Sequence, residues 1–279
     1  MAQRTGFRRF EGKVALVTGA GSGLGRATAV HLASEGAAVA VHYNASEAGA
    51  AETLRLVEEA GSKGITVAAD ARRQQSVQEA VTAVLDHFGR IDVLVNNAGK
   101  HRLARSLEQT QDEWEDMIGR NLSGTFFFSQ AVGRHMRVAG GGYIVNVSSK
   151  MATSTAPSNA AYCATKAGVI AMTQVLAAEW ARFNIRVNCV APGVMATGAA
   201  GQMTAELDDG GLLQRALEAR TPVGRLGNPE EVAAAIAFLA SGETDFLTGS
   251  TLYVDGGWTS YGDYTGWGFA RSLLKQQPA

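Results

Sequence analysis

Short apolar runs punctuate this chain: KVALVT, AAVAVHY, GITVAA, IDVLVNNA, GYIVNVSS, IRVNCVAPG and STLYVDGG. Most are continuously apolar rather than alternating, which is the pattern of strands buried on both faces of a parallel sheet. Between them, apolar residues recur at helical spacing over Leu24 to Glu35, Glu47 to Ala60, Val77 to Phe88, Asp112 to Met136, Ala160 to Phe183 and Glu230 to Ala240. Strand and helix therefore alternate. With right-handed crossovers this predicts an α/β fold, a doubly wound parallel sheet in three layers, with ligands gathered at the carboxyl ends of the strands.

No Pro/Ser-rich linker, repeat or low-complexity block divides the chain, so residues 1–279 are expected to form a single domain. Three segments stand outside the alternation. Residues 1–11, with Arg4, Arg8 and Arg9, look like a solvated N-terminal arm. Thr197 to Leu213 is a polar, glycine-containing excursion, and residues 197–219 are expected to form a substrate lid. Residues 258–279 form an extension carrying Trp258, Tyr261, Tyr264, Trp267 and Phe269, too aromatic for a disordered tail and expected to pack on a neighbouring subunit near a substrate entrance.

The composition, 46% hydrophobic and 18% charged, is that of an ordinary globular protein. A formal net charge of -1 gives no reason to expect nucleic acid as partner. No stretch approaches the roughly 18 apolar residues of a membrane helix, and the N-terminus lacks the apolar core of a secretion signal, so no membrane association and a cytoplasmic location are expected. The two cysteines, Cys163 and Cys189, form no CxxC or Cys/His cluster, which argues against a disulfide framework and a structural zinc. Cys163 has no histidine nearby in a motif to activate it and reads as a small buried residue.

Chemistry enters with the loop Thr18-Gly19-Ala20-Gly21-Ser22-Gly23-Leu24-Gly25, between the first strand and the first helix. Glycines there make a tight turn and let the backbone approach a pyrophosphate, while the helix N-terminus offers donors and positive potential. Further on, YCATK places Tyr162 and Lys166 four residues apart on one face of a predicted helix. Free tyrosine, with a pKa of about 10, is a poor base near neutrality, and a neighbouring ammonium stabilises its phenolate. Tyr162 is therefore a candidate general acid/base and Lys166 its activator.

The spacing Thr18-Gly19-x-x-x-Gly23-x-Gly25 resembles the dinucleotide loop of the short-chain dehydrogenases/reductases, a Rossmann-like family, and the likeness runs from about Gly12 to about Gly257. Asp70, followed by Ala71, resembles that family's adenine-contacting acid. Asn96-Asn97-Ala98-Gly99 resembles its NNAG segment, and Pro192-Gly193-Val194 with Thr197 its PGxxxT stretch near the nicotinamide. The resemblance implies an NAD(P)(H)-dependent oxidoreductase that interconverts a ketone or aldehyde and a secondary alcohol by hydride transfer, requiring no metal. It also implies that Ser149 polarises the substrate carbonyl, that Lys166 binds the nicotinamide ribose, and that Asn121 completes a tetrad by holding a water that relays protons to Lys166. A homotetramer is implied, with a dimer as the alternative.

Cofactor choice is read from His42-Tyr43-Asn44 after the second strand. Tyr43 falls where NAD-preferring members carry an acid, while Asn44 and Ser46 can hydrogen-bond a phosphate, which favours NADP(H) over NAD(H). Ser22, however, stands where many NADP-preferring relatives have a basic residue. For substrate, Lys100 and Lys150 directly follow the NNAG segment and Ser149, so a pocket of Lys100, Lys150, Met151, Asn159 and Met203 would suit a small carbonyl compound, sugar, polyol or keto acid. The runner-up is a 3-oxoacyl-(acyl-carrier-protein) reductase. It is demoted because Gly140 and Ala178 stand where carrier-docking relatives have arginines, although Arg134, Arg137 and Arg182 are near in sequence. A non-catalytic dinucleotide-sensing regulator would have no need of Asn121, Ser149, Tyr162 and Lys166 together.

Overall fold

Seven strands, β1 (Val14–Val17), β2 (Ala38–Tyr43), β3 (Gly64–Ala68), β4 (Val93–Asn96), β5 (Gly142–Val147), β6 (Ile185–Pro192) and β7 (Thr251–Val254), make one sheet in the order β3-β2-β1-β4-β5-β6-β7. Every pairing is parallel. The computed structural model describes residues 8–196 and 211–260. Its helices are α1 (Gly23–Ser34), α2 (Glu47–Glu59), α3 (Gln74–Phe88), α4 (Gln111–Ile118), α5 (Gly124–Ala139), α6 (Ala160–Trp180), α7 (Leu212–Arg220) and α8 (Pro229–Leu239).

Successive strand residues point to opposite faces, so continuously apolar strands need a core on each side. Ala15, Val17, Val39, Val41, Val93 and Val95 pack with α1, α2 and α8. Leu16, Ala40, Leu94, Ile144 and Val187 pack with α3, α5 and α6. All four residues of β1 and of β4 are buried, whereas the edge strands β3 and β7 are only partly covered. Burying a large aliphatic side chain contributes about 1.5–3 kcal/mol, so these two layers hold the sheet ends rigidly in place. Strand order reverses between β1 and β4, leaving a crevice above their carboxyl ends.

Local details depart from the sequence expectation. The periodic stretch from Asp112 to Met136 is not one helix: α4 and α5 are separated by a π-helical turn over Gly119–Ser123. Its cause is tertiary, because Asn121 in that turn is wholly buried and bonds the backbone of Lys100, and Gly124 packs on Ala71. The N-terminal arm is not wholly solvated, since Arg9 and Phe10 dock on the domain while Glu11 stays exposed. Arg9 pairs with Glu35 at 2.6 Å, and Phe10 is 1% exposed. The proposed lid ends in an unforeseen helix, α7; residues 197–210 lie outside the described residues. Of the aromatic extension, Trp258 packs within its own chain, and residues 261–279 lie outside the described residues.

Candidate active site

The glycine loop leaves β1 at Thr18 and enters α1 at Gly23. Gly19 has φ +62, and a methyl there would stand 2.8 Å from the Ala98 Cα. A methyl on Gly25 would run into the Gly19 carbonyl and stand 2.5 Å from Asn97 Nδ2. Asn97 fastens the loop to the end of β4: its Nδ2 donates to the Thr18 and Gly19 carbonyls at 2.9 and 3.1 Å. Thr18 Oγ1 accepts from the Asn97 and Ala98 amides, both at 2.9 Å. Ser22 supplies no side-chain cap to α1, whose first turn carries no acid. That opening fits a pyrophosphate, which such a helix start binds through its free amides. Gly21 lies against Ser46, and Leu24 packs on the core below.

Two residues passed over in the sequence hold this cradle. His42 is 1% exposed; the Gly19 amide donates to its Nδ1 at 3.1 Å, and Nε2 lies 3.1 Å from the Ala69 carbonyl. Those partners fix the neutral tautomer with the proton on Nε2. Burial lowers its pKa to about 4. Arg26 donates to the Gly21 carbonyl at 2.6 Å and the Gly49 carbonyl at 3.2 Å, tying the loop to α2. Around them, Tyr43 ends β2 half-buried, while Asn44 and Ser46 are exposed and Ser46 makes no cap hydrogen bond. The Asp70 carboxylate is held by Arg72 at 2.6 Å, which pulls its pKa down to about 2. Ala71 is buried under Gly124.

At the end of β5, Ser149 stands beside α6. Its Oγ accepts from the Met151 amide at 3.1 Å, and the side chain is near enough to the Tyr162 phenol to influence its ionisation. Burial raises the Tyr162 pKa, and the neighbouring Ser149 opposes that rise. One helical turn on, Lys166 has its Nζ 5.7 Å from the Tyr162 ring centre and donates to the Val147 carbonyl at 2.9 Å. Burial of this ammonium lowers its pKa to about 8. Gly99 faces both remaining members: a methyl there would lie 3.1 Å from Asn121 Oδ1 and 3.7 Å from Lys166 Nζ. The Asn121 amide itself is engaged by the Lys100 backbone, at 2.8 and 2.9 Å.

The flanking residues divide by exposure. Lys100 is exposed, and it is its backbone that meets Asn121. Lys150, by contrast, is 8% exposed, with Nζ 3.5 Å from the Trp258 ring centre. Met151 is half-buried. Asn159 is buried and bonds His101 at 2.6 Å, and the His101 ring meets Tyr162 edge-on at 4.7 Å. His101 was hidden in the sequence because only the fold brings it to the phenol. Pro192 ends β6, the Gly193 amide donates to the Val254 carbonyl at 2.9 Å, and the Val194 carbonyl accepts from Gly227. Thr197 and Met203 lie outside the described residues.

A phenol, an ammonium and a serine beside a pyrophosphate cradle, on a doubly wound sheet, define a dinucleotide-dependent oxidoreductase of carbonyls and alcohols. Comparison with known proteins agrees. Residues 19–259 match the family profile described as Enoyl-(Acyl carrier protein) reductase. The chain is 43% identical over 252 residues to a D-threitol dehydrogenase of Mycolicibacterium smegmatis, covering 90% of this chain and 94% of that protein. It is 42% identical over 247 residues to a 3-oxoacyl-(acyl-carrier-protein) reductase of Vibrio cholerae, covering 88% and 97%. A solved gluconate 5-dehydrogenase of Burkholderia cenocepacia, in complex with NADP and tartrate, superimposes with a TM-score of 0.85 at 37% identity, covering 91% of this chain and 98% of that one. The chain belongs to the short-chain dehydrogenase/reductase family and is an NAD(P)-dependent oxidoreductase.

Proposed function

We propose that this enzyme interconverts a carbonyl and a secondary alcohol on a small polyhydroxylated molecule, with NADP(H) as its preferred dinucleotide and Tyr162 as general acid/base. The observation that carries the reading is the convergence of Ser149, Tyr162 and Lys166 at the end of β5, where Ser149 acts on the phenol and the Lys166 ammonium lies 5.7 Å from its ring centre. The dinucleotide, when bound, supplies or accepts the hydride. Thr18, Gly19, Gly21, Ser22, Gly23, Leu24 and Gly25 would hold its pyrophosphate; Asp70 and Ala71 would flank the adenine. Asn97, Ala98, Gly99, Tyr162, Lys166, Pro192, Gly193, Val194 and Thr197 would line the nicotinamide half. Ser149 and Tyr162 hydrogen-bond the substrate oxygen, where negative charge grows during reduction. Tyr162 then gives up its proton, and Lys166 offsets the charge left on the phenolate. Asn121, closing the tetrad, holds the water that returns a proton towards Lys166.

NADP preference is supported by the end of β2, where Tyr43, Asn44 and Ser46 present no carboxylate to repel a 2'-phosphate. The exposed Ser46 hydroxyl at the start of α2 offers such a phosphate a donor. A polyol or sugar-like substrate is supported by the threitol and gluconate dehydrogenases that the chain resembles. Against acyl-carrier docking, Arg134 and Arg137 line a groove between α5 and α6 that contains no tetrad residue, and Arg137 and Arg182 both rest on Phe183. The same groove, with Phe126, Trp180 and Phe183, supports a subunit contact in a homotetramer. Buried free thiols at Cys163 and Cys189 suit the reducing cytoplasm. Among the described residues, no helix is long and apolar enough to cross a membrane.

Replacing Tyr162 with phenylalanine tests the mechanism. Oxidation of alditols and aldonates, followed at the reduced-nicotinamide absorbance band, should fall by about 10²- to 10⁴-fold in kcat. NADPH binding, followed by fluorescence titration, should persist. Undiminished turnover in the variant would remove Tyr162 from the chemistry.

A further inference from the structure

Lys150 follows Ser149 directly and opens the short turn Lys150–Ala152, so it is held beside the residue assigned to the reacting oxygen. It is 8% exposed, and among the described residues its ammonium has no hydrogen-bond acceptor. The face of Trp258 covers it at 3.5 Å. An indole face attracts a cation but accepts none of its N–H bonds in the strong, directional way that an oxygen does. The ammonium therefore keeps donors free for a ligand at the one place where this mostly buried side chain still meets solvent.

A second cation lies close by. Arg220, at the end of α7, places its Cζ 4.4 Å from the Trp258 ring centre, and its charge is felt at Lys150. The carboxylate that acts on Lys150, that of Asp255, is otherwise engaged. Its Oδ1 accepts from the Gly257 amide at 3.0 Å, and its Oδ2 from the Thr259 amide at 2.9 Å and the Thr259 hydroxyl at 2.6 Å. The Trp258 indole is in turn fixed by its Nε1, which donates to Ser154 Oγ at 3.1 Å. Burial and the Arg220 charge together push the Lys150 pKa down to about 8, against the opposing pull of the Asp255 carboxylate.

We propose that Lys150 and Arg220, set against Trp258, form a carboxylate-binding subsite, and that the natural substrate is a small polyhydroxylated acid whose carboxylate docks there while its carbinol meets Ser149 and Tyr162. The proposal rests on the oxidoreductase reading of the same site. A carboxylate would give Lys150 the acceptor it lacks and relieve the repulsion between the two cations.

Two arms test it on the full chain saturated with NADP. In the first, the ratio of kcat/KM for gluconate to that for sorbitol is measured in wild type, Lys150→Met, Lys150→Arg and Arg220→Met. Methionine keeps an unbranched stem on Trp258 and removes the charge. The ratio should fall about 10- to 100-fold in Lys150→Met, less in Arg220→Met, and be partly restored in Lys150→Arg. An unchanged ratio, with both substrates impaired equally, would mean that Lys150 only supports packing, and the subsite is wrong. In the second arm, tartrate is titrated calorimetrically against the NADP-loaded protein. Lys150→Met should weaken its binding about 10- to 100-fold, and equal binding to both proteins overturns the proposal. A wild type inert towards every alcohol would instead refute the oxidoreductase reading, while the tartrate arm still decides the subsite.

Discussion

A proton added to His42 has nowhere to sit without breaking the cradle, because Nδ1 already accepts the Gly19 amide and Nε2 faces the Ala69 carbonyl. Burial is the main cause of its depressed pKa, about 4 against an ordinary 6.5, partly offset by that carbonyl. Between those two values the unfolded chain binds the extra proton and the folded one does not. Stability is therefore intact above pH 6.5, drains away as the pH falls towards 4, and loses up to about 3 kcal/mol from this group alone. A His42→Asn variant should show a smaller drop in Tm between pH 6.5 and pH 4 than wild type; equal drops would mean that His42 does not carry the acid sensitivity. His42→Leu strands the Gly19 amide and should cost about 1–3 kcal/mol, with a raised KM for the dinucleotide. Lone residues such as this were the least legible in the sequence. A histidine inside an apolar strand is a visible oddity, but its partners, Gly19 and Ala69, are distant in the chain and are named only by the fold. Tyr162 and Lys166 were readable because one helical turn is enough to place them together.

The join between β1 and α1 depends on glycine for space as much as for flexibility. Gly25 lies inside the first turn of α1, where an added methyl would meet the Gly19 carbonyl, Asn97 Nδ2 and the Ala20 Cα at 2.9 Å, none of which is the far end of a flexible chain. Alanine normally favours a helix over glycine by about 1 kcal/mol. Here the clash outweighs propensity, so Gly25→Ala should lower Tm and abolish dinucleotide-induced thermal stabilisation; a stabilised variant that still binds NADP would refute the packing argument. Local signals of this kind, glycines between a strand and a helix, gave the order of strands and helices and the position of the cradle. They failed where tertiary bonds override periodicity. The apolar pattern runs unbroken from α4 to α5, yet the buried Asn121 needs a widened turn to reach the Lys100 backbone. The helix α7 and the docking of Arg9 and Phe10 escaped for the same reason, since each segment is polar or short when read alone.

Assembly is the level at which one chain's sequence says least, because a surface stripe and a subunit contact have the same local pattern. The fold narrows the choice. Val138 at the end of α5 is 78% exposed and Val175 on α6 is 55% exposed, and both helices border the groove formed by Phe126, Gln130, Arg134, Glu179 and Trp180. A two-fold contact must be self-complementary, and this face offers both Arg134 and Glu179, so one copy's arginine can meet the other's glutamate around the apolar strip. Val175 lies one turn before Glu179, which places it on that strip. In an isolated subunit an exposed Val175→Glu substitution should change stability by no more than about 0.5 kcal/mol, whereas in a closed contact it buries an unpaired charge. Light scattering after gel filtration should give wild type a mass four times the 29.2 kDa chain, and Val175→Glu a smaller species. Because α6 also carries Tyr162 and Lys166 on its first turns, the dissociated variant should lose turnover along with mass. A variant that keeps the full mass would place the subunit contact elsewhere, and a monomeric wild type would dismiss the tetramer altogether.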